Sequence, residues 1–142
     1  MLASASALIA LVMTNSPAAP INANIAEFQN APACLHDLAT ETAEQAARKR
    51  SALGAARAIN TAESRYAAVN KRYGTQRDLE SLVDARYNTG GEQGAEIVPG
   101  FTLTLDATEK GYWLEIKDTT DPCGFRFISN QNGVIFTAHP IQ

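Results

Sequence analysis

Reactive side chains are scarce in this sequence. There are two cysteines, Cys34 and Cys123, two histidines, His36 and His139, and the aspartates Asp118 and Asp121 close to the second cysteine. A zinc site built on Cys and His needs ligand pairs a few residues apart, and neither cysteine belongs to such a pattern. His36 beside Cys34 offers at most a contact for a stray ion. A Cys–His nucleophilic pair needs a third group to orient the base, and nothing supplies one. The run Asn88–Gly94, rich in glycine, lacks the lysine and following helix of a phosphate-binding loop. No catalytic, cofactor-binding or metal-binding residue is therefore assigned, and no enzymatic activity and no cofactor are expected.

The element that must position everything else is the stretch Ala56–Gly74. Ile59, Tyr66, Val69 and Tyr73, with Ala62 in phase, recur at helical spacing and form one apolar stripe. These four larger residues are the predicted core spine, and Gly74 is the predicted left-handed end of the helix. Upstream, Leu35 to Ser51 is rich in helix formers, and Glu44 stands four residues before Arg48. The apolar stripe is thin there, and Glu41, Glu44, Arg48, Lys49 and Arg50 give it a charged surface. The composition predicts one helix over about 33–73, starting near Pro32, whose first half is a water-exposed arm. A continuous helix over Leu35–Tyr73 is about 58 Å long. Cys34 then lies at its far end, while a disulfide needs α-carbons within about 7 Å. Bridging Cys34 to Cys123 would require a sharp break, at Gly54. The expectation is two unpaired or intermolecular thiols.

Beyond Gly74 the reading changes to turns and strands. Leu79, Leu82 and Val83 suggest a short helix or turn packed back on the spine, within a connecting loop over about 75–100. Phe101–Leu105 alternates apolar and polar residues, Tyr112–Lys117 follows, then Phe125–Ile128 and, after the Asn132-Gly133 turn signal, Val134–Thr137. Short connections make consecutive strands antiparallel. The predicted class is α+β: a long helix packed on one antiparallel sheet of three to four strands, over about 101–138. Tyr112 and Trp113 point to opposite faces of one strand, so one belongs to the core and the other is partly exposed. Trp113, with Glu41, Glu44, Arg48, Lys49 and Arg50, makes up the candidate partner surface.

The bulk properties narrow the class of partner. The 142 residues, with 45% hydrophobic and 19% charged side chains, suit one domain over 24–142. A net charge of −3 and the lack of a large basic cluster argue against nucleic acid. Leu2–Met13 is a short apolar run followed by Ala18-Ala19 and Ala23, which fits a secretory signal over 1–23. It is too short for a membrane-spanning helix of about 20 residues. An exported protein, periplasmic or extracellular and without an integral membrane span, is expected.

Two segments together resemble a known family. Ala58-Ile59-Asn60-Thr61-Ala62-Glu63, with Tyr66 and Tyr73-Gly74-Thr75, is similar to the helix of type IV pilin-like proteins and type II secretion pseudopilins. Gly111-Tyr112, Asp121-Pro122 and Phe125-Arg126-Phe127-Ile128-Ser129-Asn130-Gln131-Asn132-Gly133-Val134-Ile135 resemble the sheet of the same proteins. The resemblance covers about residues 57–135. It implies a pilin-like fold and a structural role among protein partners, such as pilus or secretion components. The family's basic leader and long apolar helix have no counterpart here, and residues 35–51 are polar and charged where that helix would protrude. Asp118 and Asp121 fall where major pseudopilins hold calcium, but the acidic loop is shorter, which favours a plain turn. The leading expectation is a non-catalytic, exported pilin-like interaction or structural protein, a minor component or adaptor of a pilus or secretion apparatus. The alternatives are a membrane-anchored pilin or pseudopilin subunit whose true start lies upstream, and a small periplasmic ligand-binding domain or enzyme.

Overall fold

A capping box opens the long helix. The Thr42 hydroxyl accepts from the Gln45 backbone N–H while the Gln45 side chain accepts from the Thr42 N–H, satisfying two donors that the first turn would leave unpaired. In the computed structural model, helix α1 runs over Ala43–Asn70. The chain divides into two units, Met1–Ala31 and Pro32–Gln142. The structure describes residue 34, residue 36 and residues 41–90 and 92–139, all in the second unit. The expected targeting segment over 1–23 and the expected helix start near Pro32 lie outside the described residues.

Helix α1 is shorter at both ends than its composition suggests. Glu41 and Thr42 precede it as non-helical residues, because the Thr42 cap is incompatible with a helical backbone at that position. It stops at Asn70, and Lys71, not Gly74, takes the left-handed conformation, with φ 61°. Gly74 is required for space instead: a β-carbon there would lie 2.7 Å from Leu79 Cδ2. Gly54 does not break the helix either. It leaves room for the Tyr87 hydroxyl, which would stand 2.6 Å from an added β-carbon.

After a four-residue helix α2 (Gln76–Leu79), the chain forms β1 (Glu96–Val98), β2 (Phe101–Ala107), β3 (Tyr112–Asp118), β4 (Arg126–Asn130) and β5 (Phe136–Ala138). They make one five-stranded antiparallel sheet in the order β1-β2-β3-β4-β5. The α+β class is as expected, with one strand more than three to four. The extra strand, β1, is only three residues long and irregular in register, so it carries almost no alternation to read.

The inner face of the sheet presents Phe101, Leu103 and Leu105 from β2, Tyr112, Leu114 and Ile116 from β3, and Phe127 from β4. Helix α1 answers with Ala52, Ala55, Ala56, Ile59 and Ala62, mostly methyl groups that let the sheet approach the helix closely. Burying each large apolar side chain contributes roughly 1.5–3 kcal/mol. The predicted spine is corrected here. Ile59 is fully buried and Tyr66 half-buried, but Val69 is 79% exposed, and Tyr73 lies beyond the helix, half-buried. The sheet sits against the alanine-rich middle of α1, so the last turn, with Val69, overhangs it.

Candidate functional site

The first half of α1 is not a solvated arm. It runs beside the β3–β4 loop, and the segment ahead of it is fastened to that loop by a Cys34–Cys123 disulfide with α-carbons 5.3 Å apart. The expectation of unpaired or intermolecular thiols is therefore overturned. It rested on a helix that placed Cys34 far from the sheet; α1 starts at Ala43, and Cys34 itself is not helical.

A polar cluster surrounds this bridge. Asp118 continues the inward row Tyr112, Leu114, Ile116, so strand alternation drives its carboxylate into the interior. There it meets the His36 ring, whose Nε2 is 2.7 Å from Asp118 Oδ2 and whose Nδ1 is 2.8 Å from Glu41 Oε1. Lys49 Nζ adds an ion pair to the same Glu41 oxygen at 2.6 Å. An imidazole carrying a proton on each nitrogen donates to both carboxylates at once. The other Asp118 oxygen accepts from the Thr120 N–H, the Thr120 hydroxyl and the Asp121 N–H. Burial pushes the Asp118 carboxyl up, but the His36 and Thr120 hydrogen bonds outweigh it and hold the group below the usual range. For Glu41, burial again opposes, and Lys49 and His36 together lower it. The His36 ring packs on the Phe125 ring at 4.4 Å between centroids, and Lys49 Nζ stands 5.8 Å from the centroid of that same Phe125 ring.

A second buried polar group joins α1 to the sheet. The Asn60 amide donates to Ser129 Oγ at 2.9 Å and to the Gly133 carbonyl at 3.1 Å, and its oxygen accepts from the Tyr112 hydroxyl at 2.9 Å. Ser129 in turn donates to the Val134 carbonyl at 2.8 Å. Burial pushes the Tyr112 phenol up to about 12. One turn on, fully buried Glu63 accepts from the Gly74 N–H at 2.8 Å through Oε2, while Oε1 has no partner among the described residues. Burial raises its pKa to about 7, partly offset by the Gly74 hydrogen bond and reinforced by the charge of Asp78. Asn60 and Glu63 were legible only as a motif; their phase with Ile59 and Ala56 is the signal that they face inward.

The chemistry open to these groups is that of cross-links. Asp118 and Asp121 do not form an open cation loop: both Asp121 oxygens accept backbone donors, from Cys123 and Phe125. Among the described residues no group of three or more His, Cys, Asp or Glu side chains is placed to hold a metal ion. His36 and His139 are not brought together: His36 lies in the cluster, and His139 lines an exposed groove beyond β5.

The candidate partner residues scatter. Glu41 and Lys49 are turned into the cluster, and Arg48 reaches Thr120 Oγ1 at 3.3 Å. Glu44 and Arg50 are exposed on α1. Trp113 is 45% exposed on the outer sheet face, opposite the buried Tyr112. Phe136 is 58% exposed and pairs across the strands with Ile128 on that same outer face, a surface that the sequence reading did not single out. Among the described residues no helix is long and apolar enough to cross a membrane. Comparison with protein-family models, with curated proteins and with solved structures found no match to this chain.

Proposed function

We propose that this chain is a non-catalytic, exported interaction protein of pilin-like fold, a minor component or adaptor of a pilus or secretion apparatus, acting through the outer face of its sheet. The observation that carries the reading is a 28-residue helix laid on an antiparallel meander whose β3–β4 loop is disulfide-bonded to the segment before the helix. Disulfides persist in oxidising compartments, which supports a periplasmic or extracellular location. His36, Glu41, Asp118 and Asn60 are engaged in holding helix, loop and sheet together, which supports a binding role over a reaction. Trp113, Ile128 and Phe136 supply aromatic and aliphatic surface of the kind enriched in protein contacts.

The test is fractionation of the full chain expressed in its own host, combined with a photo-reactive residue replacing Trp113. Expected are an extracytoplasmic protein with both cysteines oxidised and a discrete cross-linked protein partner. A cytoplasmic protein with reduced thiols refutes the export reading. Recovery with integral membrane proteins, or unaided polymerisation into filaments, selects the anchored filament subunit instead.

A further inference from the structure

The two edges of the sheet are treated differently. The β1 edge is covered by the chain itself: the Asn88 N–H donates to the Ile97 carbonyl at 3.2 Å and the Asn88 side chain to the Glu96 carbonyl at 3.2 Å. At the other edge, β5 is the terminal strand and is flanked by a groove on each face. The inner groove, about 450 Å³, lies between α1 and β5 and is lined by Leu53, Arg57, Phe127, Gly133, Ile135 and Thr137. The outer groove, about 300 Å³, is lined by Gly124, Arg126, Ile128, Ala138 and His139. Successive side chains of a strand point to opposite faces, so a strand laid along β5 would direct alternate side chains toward one groove and then the other. An edge strand also carries a row of main-chain donors and acceptors ready to pair.

The charges indicate the occupant. Arg57 is exposed, and among the described residues no acidic side chain lines either groove. Arg50 stands two turns before Arg57 on the same flank of α1 and is also exposed. Val134 and Phe136, both at least half exposed, extend the apolar surface along this edge. We propose that the outer edge of β5, which pairs with no further strand among the described residues, accepts an extended segment of a partner protein as an added antiparallel strand, with apolar side chains over the grooves and an acidic side chain against Arg57. Such pairing depends on the fold and on the β5 edge, not on where the protein resides.

The probe is a fluorescein-labelled peptide of about ten residues, alternating valine and threonine with a central glutamate, titrated into the full disulfide-bonded chain. Fluorescence polarisation and backbone amide shifts are the readouts. Expected are saturable binding, shifts at Phe136–Ala138 and around Leu53 and Arg57, and loss of binding when alternate peptide amides are N-methylated. Arg57→Glu, an exposed change that leaves the fold alone, weakens the glutamate peptide about tenfold, and a lysine peptide recovers affinity for that variant. Absence of binding overturns the proposal, as does equal binding of the N-methylated peptide or a footprint on Trp113 instead of β5. A concentration-dependent dimer with protected β5 amides assigns the edge to a second copy and likewise overturns it.

Discussion

Glu63 sits where the helix, the turn after it and the sheet converge, and its substitution by glutamine probes how that junction is held. The side chain is fully buried, one oxygen bound to the Gly74 N–H and the other without a partner among the described residues. The folded protein binds the carboxyl proton up to about pH 7, against 4.5 for the unfolded chain. Below pH 4.5 both states carry the proton and the site contributes no pH dependence. Between these values the folded state holds one proton more than the unfolded state, so stability falls as pH rises; above pH 7 the loss is complete. A difference of about 2.5 pH units corresponds to roughly 3 kcal/mol. The glutamine side chain retains an acceptor for the Gly74 N–H and cannot ionise. The variant Glu63→Gln should therefore match the wild type near pH 4.5 and exceed it by roughly 3 kcal/mol at pH 8. With a urea slope of about 2 kcal/mol/M, that is a midpoint shift of about 1.5 M. Urea titrations at half-unit pH steps, followed by far-UV circular dichroism, measure the gap. Taking the difference between the two proteins cancels the contributions of Glu41 and Asp118. A gap independent of pH, or one that widens toward acid, refutes the reasoning.

Reducing the Cys34–Cys123 bridge, or replacing both cysteines by alanine, should cost up to about 4–5 kcal/mol, because the bridge closes a loop across a sequence separation of 89 residues. Thermal melts with and without reductant measure it, and an unchanged midpoint refutes it. Ile59→Ala should destabilise by about 2–5 kcal/mol, while Val69→Ala, at a site 79% exposed, should stay within about 0.5 kcal/mol. Equal effects at the two sites would restore Val69 to the core. His36→Ala strips Asp118 and Glu41 of a shared donor inside the fold and should cost about 3 kcal/mol, with increased amide exchange in the β3–β4 loop. Exchange that rises only near Gly74 would show that His36 does not hold the β3–β4 loop.

Much of the fold was legible because burial leaves periodic traces in longer elements. The alternation in Phe101–Leu105 and Tyr112–Lys117 announces two strands with one apolar face each, and both form there. Ile59 lies at the centre of a helix for the same reason. Less visible signals were also present: Thr42 and Gln45 carry a capping box, and that box opens the helix at Ala43. Asp118, in phase with Leu114 and Ile116, carries the signal of an inward carboxylate that requires a donor. Strand β1 was not legible, because three residues held mainly by a neighbour carry little pattern of their own.

The sequence by itself determined the class of architecture, a helix followed by a meander, since hydrophobic periodicity is local and survives without neighbours. It also determined that Tyr112 and Trp113 face opposite sides of their strand, through its two-residue period. Only the tertiary structure decided which charges are surface and which are fasteners. Glu41, Lys49, His36 and Asp118 meet from segments distant in sequence, and no spacing rule links them. The disulfide belongs to the same class of fact. Its formation depends on where the helix starts and on Cys34 meeting Cys123, a proximity set by three-dimensional packing, which no one-dimensional pattern encodes.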